Sequence, residues 1–225
     1  MNRSNKKDNE KLKLVDSGQN GGELADLGVC TIDELLQRGA MKAPRAPALS
    51  AMGANVSYEQ LQNLSASVAT WLINQGLQPG DRVAVALPNM LAHPVACLGI
   101  IRAGLIAVCV NPLYTPQELA QVFKDSEVKA VFLFGPMGQG VQQAMLKAGV
   151  SLAVQVAPGD QLGWRRTLVN WVAHWRLGSK LTGMEGAIDW RKVVATRATK
   201  LSQRAPIAAE QTAFIIYSGG TTGQP

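Results

Sequence analysis

Four short apolar runs, each separated from the next by a helical pattern, constrain this chain more than any other feature. They are Arg82 to Leu87, Leu105 to Val110, Lys129 to Phe134 and Val150 to Val156. Runs this short and this continuously apolar suit strands covered on both faces. Helical patterns fill the gaps, from about Met90 to Ala103, from Thr115 through Phe123, and near Val141 to Lys147. Strands that alternate with helices over short links are parallel, because a parallel neighbour is reached only by a crossover. The predicted fold class is α/β, a mainly parallel sheet with helices on both faces.

The helix starts are written in the same hand. Thr31-Ile32-Asp33-Glu34, Ser57-Tyr58-Glu59-Gln60 and Thr115-Pro116-Gln117-Glu118 are capping boxes, the last with proline at the first helical position. The first helix carries Leu35 and Leu36 and stops before Pro44. The second repeats Leu61, Leu64, Val68, Trp71 and Leu72 at helical spacing and stops at Gly76. Between them Pro47 to Ser50 and Ala54 to Val56 flank Gly53, a small hairpin. Pro94 fits its helix only in the first turn. Residues 1–28 are polar and predict a flexible tail. Gly135-Pro136-Met137-Gly138-Gln139-Gly140 has the wrong glycine spacing for a nucleotide loop and reads as a connection.

Composition narrows the function classes. The N-terminal segment has no apolar stretch and is not a signal peptide. The most apolar stretch, Pro94 to Val110, holds Arg102 and Gly104, whereas a membrane span wants about 20 uncharged apolar residues. Cys30, Cys97 and Cys109 are odd in number and without a Cys-x-x-Cys, which points to a reducing compartment rather than a disulfide framework. The spacing of His93 and His174 from the cysteines suggests no zinc site. Net charge is +6, and the whole excess lies between Gln161 and Arg204, where nine basic side chains face only Glu185 and Asp189. Such a patch faces phosphate, nucleic acid or an anionic membrane, or is simply a solvated surface.

The last thirteen residues combine a strand pattern, Ala213 to Tyr217, read as buried, with Ser218-Gly219-Gly220-Thr221-Thr222-Gly223. Glycine permits close backbone approach, and successive N–H groups in such a turn cradle anions. Ser218, Thr221 and Thr222 add hydroxyls. A Walker loop is excluded, because Gly223 is followed by Gln224-Pro225 instead of Lys and Ser or Thr. The Gly-x-Gly-x-x-Gly dinucleotide pattern is absent as well. On composition alone a plain flexible turn explains the loop equally well.

The residues themselves carry a resemblance. Tyr217-Ser218-Gly219-Gly220-Thr221-Thr222-Gly223 resembles the phosphate-binding loop of the adenylate-forming enzymes, which include acyl-CoA ligases, luciferases and peptide-synthetase adenylation domains. Gly80-Asp81-Arg82-Val83-Ala84 with Leu87-Pro88-Asn89 is similar to a strand of fatty acyl-CoA ligases. Asn111-Pro112-Leu113-Tyr114-Thr115-Pro116-Gln117-Glu118-Leu119 resembles the bacterial long-chain members. The likeness covers roughly residues 30–225, so residues 29–225 are expected to be the N-terminal part of an AMP-binding domain.

The resemblance implies ligation of a long-chain fatty acid to coenzyme A through an acyl-adenylate, with ATP and Mg²⁺. Tyr217, Ser218, Gly219, Gly220, Thr221, Thr222 and Gly223 would hold the ATP phosphates. No nucleic-acid partner and no protein-held metal are expected. The family's lysine after this loop, its adenine and ribose contacts, its magnesium-binding acid, most of its acyl tunnel and its C-terminal domain with a catalytic lysine are not in these 225 residues. They are expected in a C-terminal portion or a split partner chain, and the 225 residues alone are expected to be inactive. A non-enzymatic nucleotide- or partner-binding module and a piece of another acid–CoA ligase or adenylation enzyme are the alternatives.

One segment stands apart, a basic insertion about 160–205. Trp164, Leu168, Trp171, Val172 and Trp175 share a helical face beside Arg165 and Arg166. That face suits either a lipid headgroup boundary or docking on the domain's own core. The expected location is cytoplasmic, with peripheral membrane contact through Trp164, Trp171 and Trp175. From Gly178 to Ala205 the chain reads as a mostly irregular connection.

Overall fold

The computed structural model describes residues 31–160, 162, 169–172, 183–198 and 207–217. The predicted tail, 1–28, lies outside the described residues. All three capping boxes form, each with the cap side chain accepting from the third helical N–H and the Glu or Gln reaching back to the cap N–H. They open α1 (Ile32–Lys42), α2 (Tyr58–Asn74) and α4 (Pro116–Asp125). Between the first two lies the hairpin of β1 (Pro47–Ala51) and β2 (Ala54–Ser57). Its two-residue turn has φ of 50° at Met52 and 73° at Gly53, the doubly left-handed geometry that matches strand twist.

The main body continues as β3 (Arg82–Ala86), α3 (Ala92–Arg102), β4 (Ile106–Cys109), then α4, β5 (Val128–Phe134), α5 (Gly138–Ala148) and β6 (Leu152–Val156). Pro94 is the third residue of α3, where its missing N–H costs nothing. Two short elements, β7 (Ile188–Asp189) and α6 (Trp190–Val194), precede β8 (Phe214–Ile216). The six-stranded sheet runs β7-β6-β5-β3-β4-β8, every pair parallel.

Alternation along the strands divides the core. Val83, Val85, Ala107, Ala130, Phe132 and Val154 face α1, α2, α3 and α6, while Ala84, Ala86, Val108, Val131 and Leu133 face α4 and α5. On the first face α2 and α3 pack closely, because Gly99 presents no side chain: a Cβ there would lie 2.5 Å from Val68. Arg102, against membrane insertion in the sequence, has a structural task here. Its Nη1 donates to the Gln62 carbonyl (2.6 Å) and Ser65 Oγ (2.9 Å), and its Nε lies 2.7 Å from Asp33 Oδ1. This ion pair joins α1, α2 and α3, and burial pulls the guanidinium below its usual range while Asp33 opposes the shift.

Three expectations are corrected. The Gly135–Gly140 connection is a 3₁₀ turn, Gly135–Met137, running directly into α5, so the helix begins three residues before the predicted start at Val141. Within the supposedly irregular Gly178–Ala205 stretch, β7 joins the sheet and α6 buries Trp190 to 1% exposure, with its ring edge-on to Phe132 at 6.0 Å. The Ala213–Tyr217 strand is not buried: Phe214 and Ile216 are exposed, and among the described residues β8 pairs with β4 alone. Among the described residues no helix is long and apolar enough to cross a membrane.

Candidate functional site

Parallel sheets of this kind bind ligands outside the carboxyl ends of their strands, where connections leave on opposite faces. Here β4-β3-β5-β6-β7 has the order 2-1-3-4-5, and α3 leaves on one face while α4 and α5 lie on the other. The carboxyl ends carry Pro88 and Asn89 after β3, Asn111 and Pro112 after β4, and Gly135 and Pro136 after β5. Local hydrogen bonds shape the second of these. Asn111 Oδ1 accepts from the Leu113 N–H at 2.9 Å, an Asx turn, and Glu118 Oε2 accepts from the Thr115 N–H at 2.7 Å. That contact holds the Glu118 carboxyl below its ordinary range. An open cleft of about 380 Å³ lies between this turn and the start of α5, walled by Pro112, Tyr114, Leu119, Pro136, Met137 and Val141. The sequence reading missed it, since its far wall belongs to the segment taken for a plain connection.

β8 ends at the same carboxyl end of the sheet, and of the predicted phosphate loop its first residue, Tyr217, is described there. Ala107, Val108 and Cys109 pair with Phe214, Ile215 and Ile216, and the Gln211 side chain donates to the Gly104 carbonyl at 2.8 Å. Tyr217 follows, half-buried, with its hydroxyl hydrogen-bonded to Asp125 at the end of α4. Burial and the neighbouring carboxylate raise its phenol above the usual range. Of the predicted site residues, Tyr217 is described; Ser218, Gly219, Gly220, Thr221, Thr222 and Gly223 lie outside the described residues. Their donor set of backbone N–H groups and hydroxyls fits phosphate oxygens, and it holds no carboxylate for Mg²⁺.

The fold also gathers what the spacing had kept apart. His93 and Cys97, one turn apart on α3, meet Cys109 at the end of β4, and one donor atom from each lies within 4.8 Å of the other two. Cys97 is buried and Cys109 half-buried. Their mutual hydrogen bond, with His93 beside it, drives the Cys109 thiol down and the Cys97 thiol up, so Cys109 ionises first. A sequence signal existed in the His-x₃-Cys spacing, which puts both side chains on one helical face; the partner on β4 needed the register.

In the basic insertion, 169–172 are helical. Val169 packs against the core, Asn170 Oδ1 accepts from the Gly159 N–H at 2.7 Å, and Trp171 is 65% exposed. Trp164, Leu168 and Trp175 lie outside the described residues.

Comparison with known proteins agrees with this architecture. A structure of a benzoate CoA ligase from Burkholderia xenovorans superposes with a TM-score of 0.61 at 22% identity, covering 82% of this chain and 32% of that one. One of an anthranilate CoA ligase in complex with anthranoyl-AMP gives 0.69 at 19% identity, covering 89% and 35%. The long-chain-fatty-acid–CoA ligase of Haemophilus influenzae is 36% identical over 197 residues, 86% of this chain and 35% of the relative. This chain thus spans about a third of the length of the curated relatives it matches. The family model described as AMP-binding enzyme matches residues 36–225, and the chain belongs to that family.

Proposed function

We propose that these residues form the front part of an AMP-forming long-chain fatty acyl-CoA ligase. The observation that carries the reading is the 36% identity to a long-chain-fatty-acid–CoA ligase across 86% of the chain. In the proposed reaction the fatty acid carboxylate attacks the α-phosphorus of ATP and pyrophosphate leaves. The coenzyme A thiol then displaces AMP from the acyl carbon. The part assigned to this chain is electrostatic. Backbone N–H groups of Gly219, Gly220 and Gly223 and the hydroxyls of Ser218, Thr221 and Thr222 would hold the β- and γ-phosphates and meet charge developing on the leaving pyrophosphate. Mg²⁺ would be carried by the nucleotide's own phosphates and by a carboxylate outside this loop. Tyr217, tied to Asp125, would anchor the loop's first residue to α4.

The test is fatty-acid-dependent pyrophosphate release and acyl-CoA formation by the polypeptide that carries these residues, over acids from acetate to palmitate. A preference for long chains, lost in Gly220→Val, supports the reading. Activity confined to short or aromatic acids removes the long-chain assignment, and no activity with any acid removes the ligase assignment. Residues 1–225 expressed by themselves are expected to form no acyl-CoA, because they match only 35% of the relative's length.

A peripheral membrane contact is a second reading, supported by the exposure of Trp171 on a segment whose Val169 is already packed. Burying such a ring at an interface contributes up to about 1.5–3 kcal/mol, and each nearby arginine contributes about 1 kcal/mol on anionic lipid. Tryptophan emission should shift to the blue with phosphatidylserine vesicles and return as salt rises. No shift at any lipid concentration removes this reading.

A further inference from the structure

We propose that His93, Cys97 and Cys109 form a three-donor site for a thiophilic divalent cation, zinc in the first place, with a fourth position open to water or an outside ligand. This does not depend on the ligase reading.

Geometry carries the proposal. α3 and β4 belong to one crossover unit, and β4 is held in register between β3 and β8. His93 and Cys97 project from the same face of α3, one turn apart. Cys109 lies two residues after Ala107, so its side chain points to the same face of the sheet, the one α3 covers. The three donor atoms lie within 4.8 Å of one another. Zinc bonds sulfur at about 2.3 Å and imidazole nitrogen at about 2.0–2.1 Å, which sets tetrahedral donors roughly 3.5–3.8 Å apart. Closing the remaining ångström or so takes side-chain rotation, with no strand movement.

The donor chemistry selects the ion. Two sulfurs and an imidazole are soft ligands, suited to zinc and its thiophilic neighbours. No carboxylate belongs to the cluster, so it does not suit Mg²⁺ or Ca²⁺ and is separate from the metal of nucleotide chemistry. Burial is graded, with Cys97 enclosed at 5% exposure and His93 and Cys109 half-buried. The enclosed side dehydrates the ion and the open side admits it. On binding, both sulfurs coordinate as thiolates, giving up to solvent whatever protons they carry, and the imidazole donates its neutral lone pair. Three protein ligands with one place left open is the pattern of sites that exchange their fourth ligand.

The experiment titrates Co²⁺ into the full 225-residue chain, reduced and kept free of oxygen, followed by Zn²⁺. The expected result is saturation at one cobalt per chain, with thiolate-to-cobalt charge-transfer absorption and visible bands of tetrahedral intensity, displaced by one zinc. Cys109→Ser and Cys97→Ala should lose the charge-transfer signal, His93→Gln should lose saturable binding, and Cys30→Ser should keep both. Far-ultraviolet circular dichroism separates loss of binding from loss of fold, and the wild-type titration stands without any variant. The proposal is overturned by an absent or unsaturable wild-type signal, by a signal that survives Cys109→Ser, or by one that vanishes in Cys30→Ser.

Discussion

Phe132 and Phe214 are both strand phenylalanines of one parallel sheet, and both face the side covered by α3. Phe132, in β5, is fully buried, with strands on both edges and Trp190 edge-on to its ring. Phe214, in β8, is 40% exposed, and Ile216 beyond it is 75% exposed. The flanking sequences, Val-Phe-Leu-Phe and Ala-Phe-Ile-Ile, are equally apolar. What differs is the neighbourhood: among the described residues β8 has one partner strand, and its main contacts are with β4. Apolar sequence makes a strand eligible for burial, and the number of elements around it decides whether burial happens.

The sharpest way to break this comparison is to truncate both rings. Phe132→Ala should cost about 3–5 kcal/mol, and Phe214→Ala about 0.5 kcal/mol or less, read from urea unfolding midpoints. Equal losses would mean that β8 is covered in solution. A similar contrast holds for charge. Asp33→Ala leaves Arg102 buried and uncompensated and should cost about 3–5 kcal/mol. Glu127→Gln removes the exposed partner of Arg82 and should cost about 0–1 kcal/mol.

Two glycines sharpen the picture at the next level. Gly99→Ala pushes a Cβ into Val68 and should cost about 1–3 kcal/mol through overpacking of α2 on α3. Gly140→Ala, in α5, meets nothing closer than Pro116 at 3.7 Å and should gain about 0.5–1 kcal/mol. Smaller again in stability, Ile216→Lys should leave the melting temperature unchanged while lowering light scattering and the binding of a hydrophobic dye, since an exposed apolar edge invites pairing. If the dye signal persists, the exposed surface lies elsewhere.

The smallest effect concerns pH. The Glu118 carboxyl is depressed by the Thr115 N–H and hydroxyl. Its contribution is therefore present above the ordinary carboxylate range and lost as pH falls through its folded value. Glu118→Gln keeps an acceptor for the Thr115 N–H but does not titrate, so the acid limb of the stability curve should flatten slightly. An unchanged acid limb would show that the carboxylate adds nothing to the cap.

The three capped helix starts, the hairpin, the parallel class and the strands β3 to β6 and β8 were legible in the chain because their causes are local. A Thr or Ser three residues before Glu or Gln satisfies helix N–H groups whatever surrounds it, and Gly53 permits a left-handed turn by lacking a Cβ. The residues proposed to hold phosphate stand out in the chain as a pattern of glycines and hydroxyls. Tertiary structure alone decided the rest, since those features depend on which distant segments meet. Arg102 reads as an interruption until Asp33, Gln62 and Ser65 surround it. Trp190 sits in a basic, irregular-looking stretch, yet it becomes a core residue because β7 pairs with β6 and brings it onto Phe132. Cys97 and Cys109 look like small hydrophobes twelve positions apart, and the α3–β4 crossover sets them side by side with His93. Local hydrogen bonding and periodicity write elements into sequence; register and packing, which sum over remote neighbours, choose which side chains they bring together.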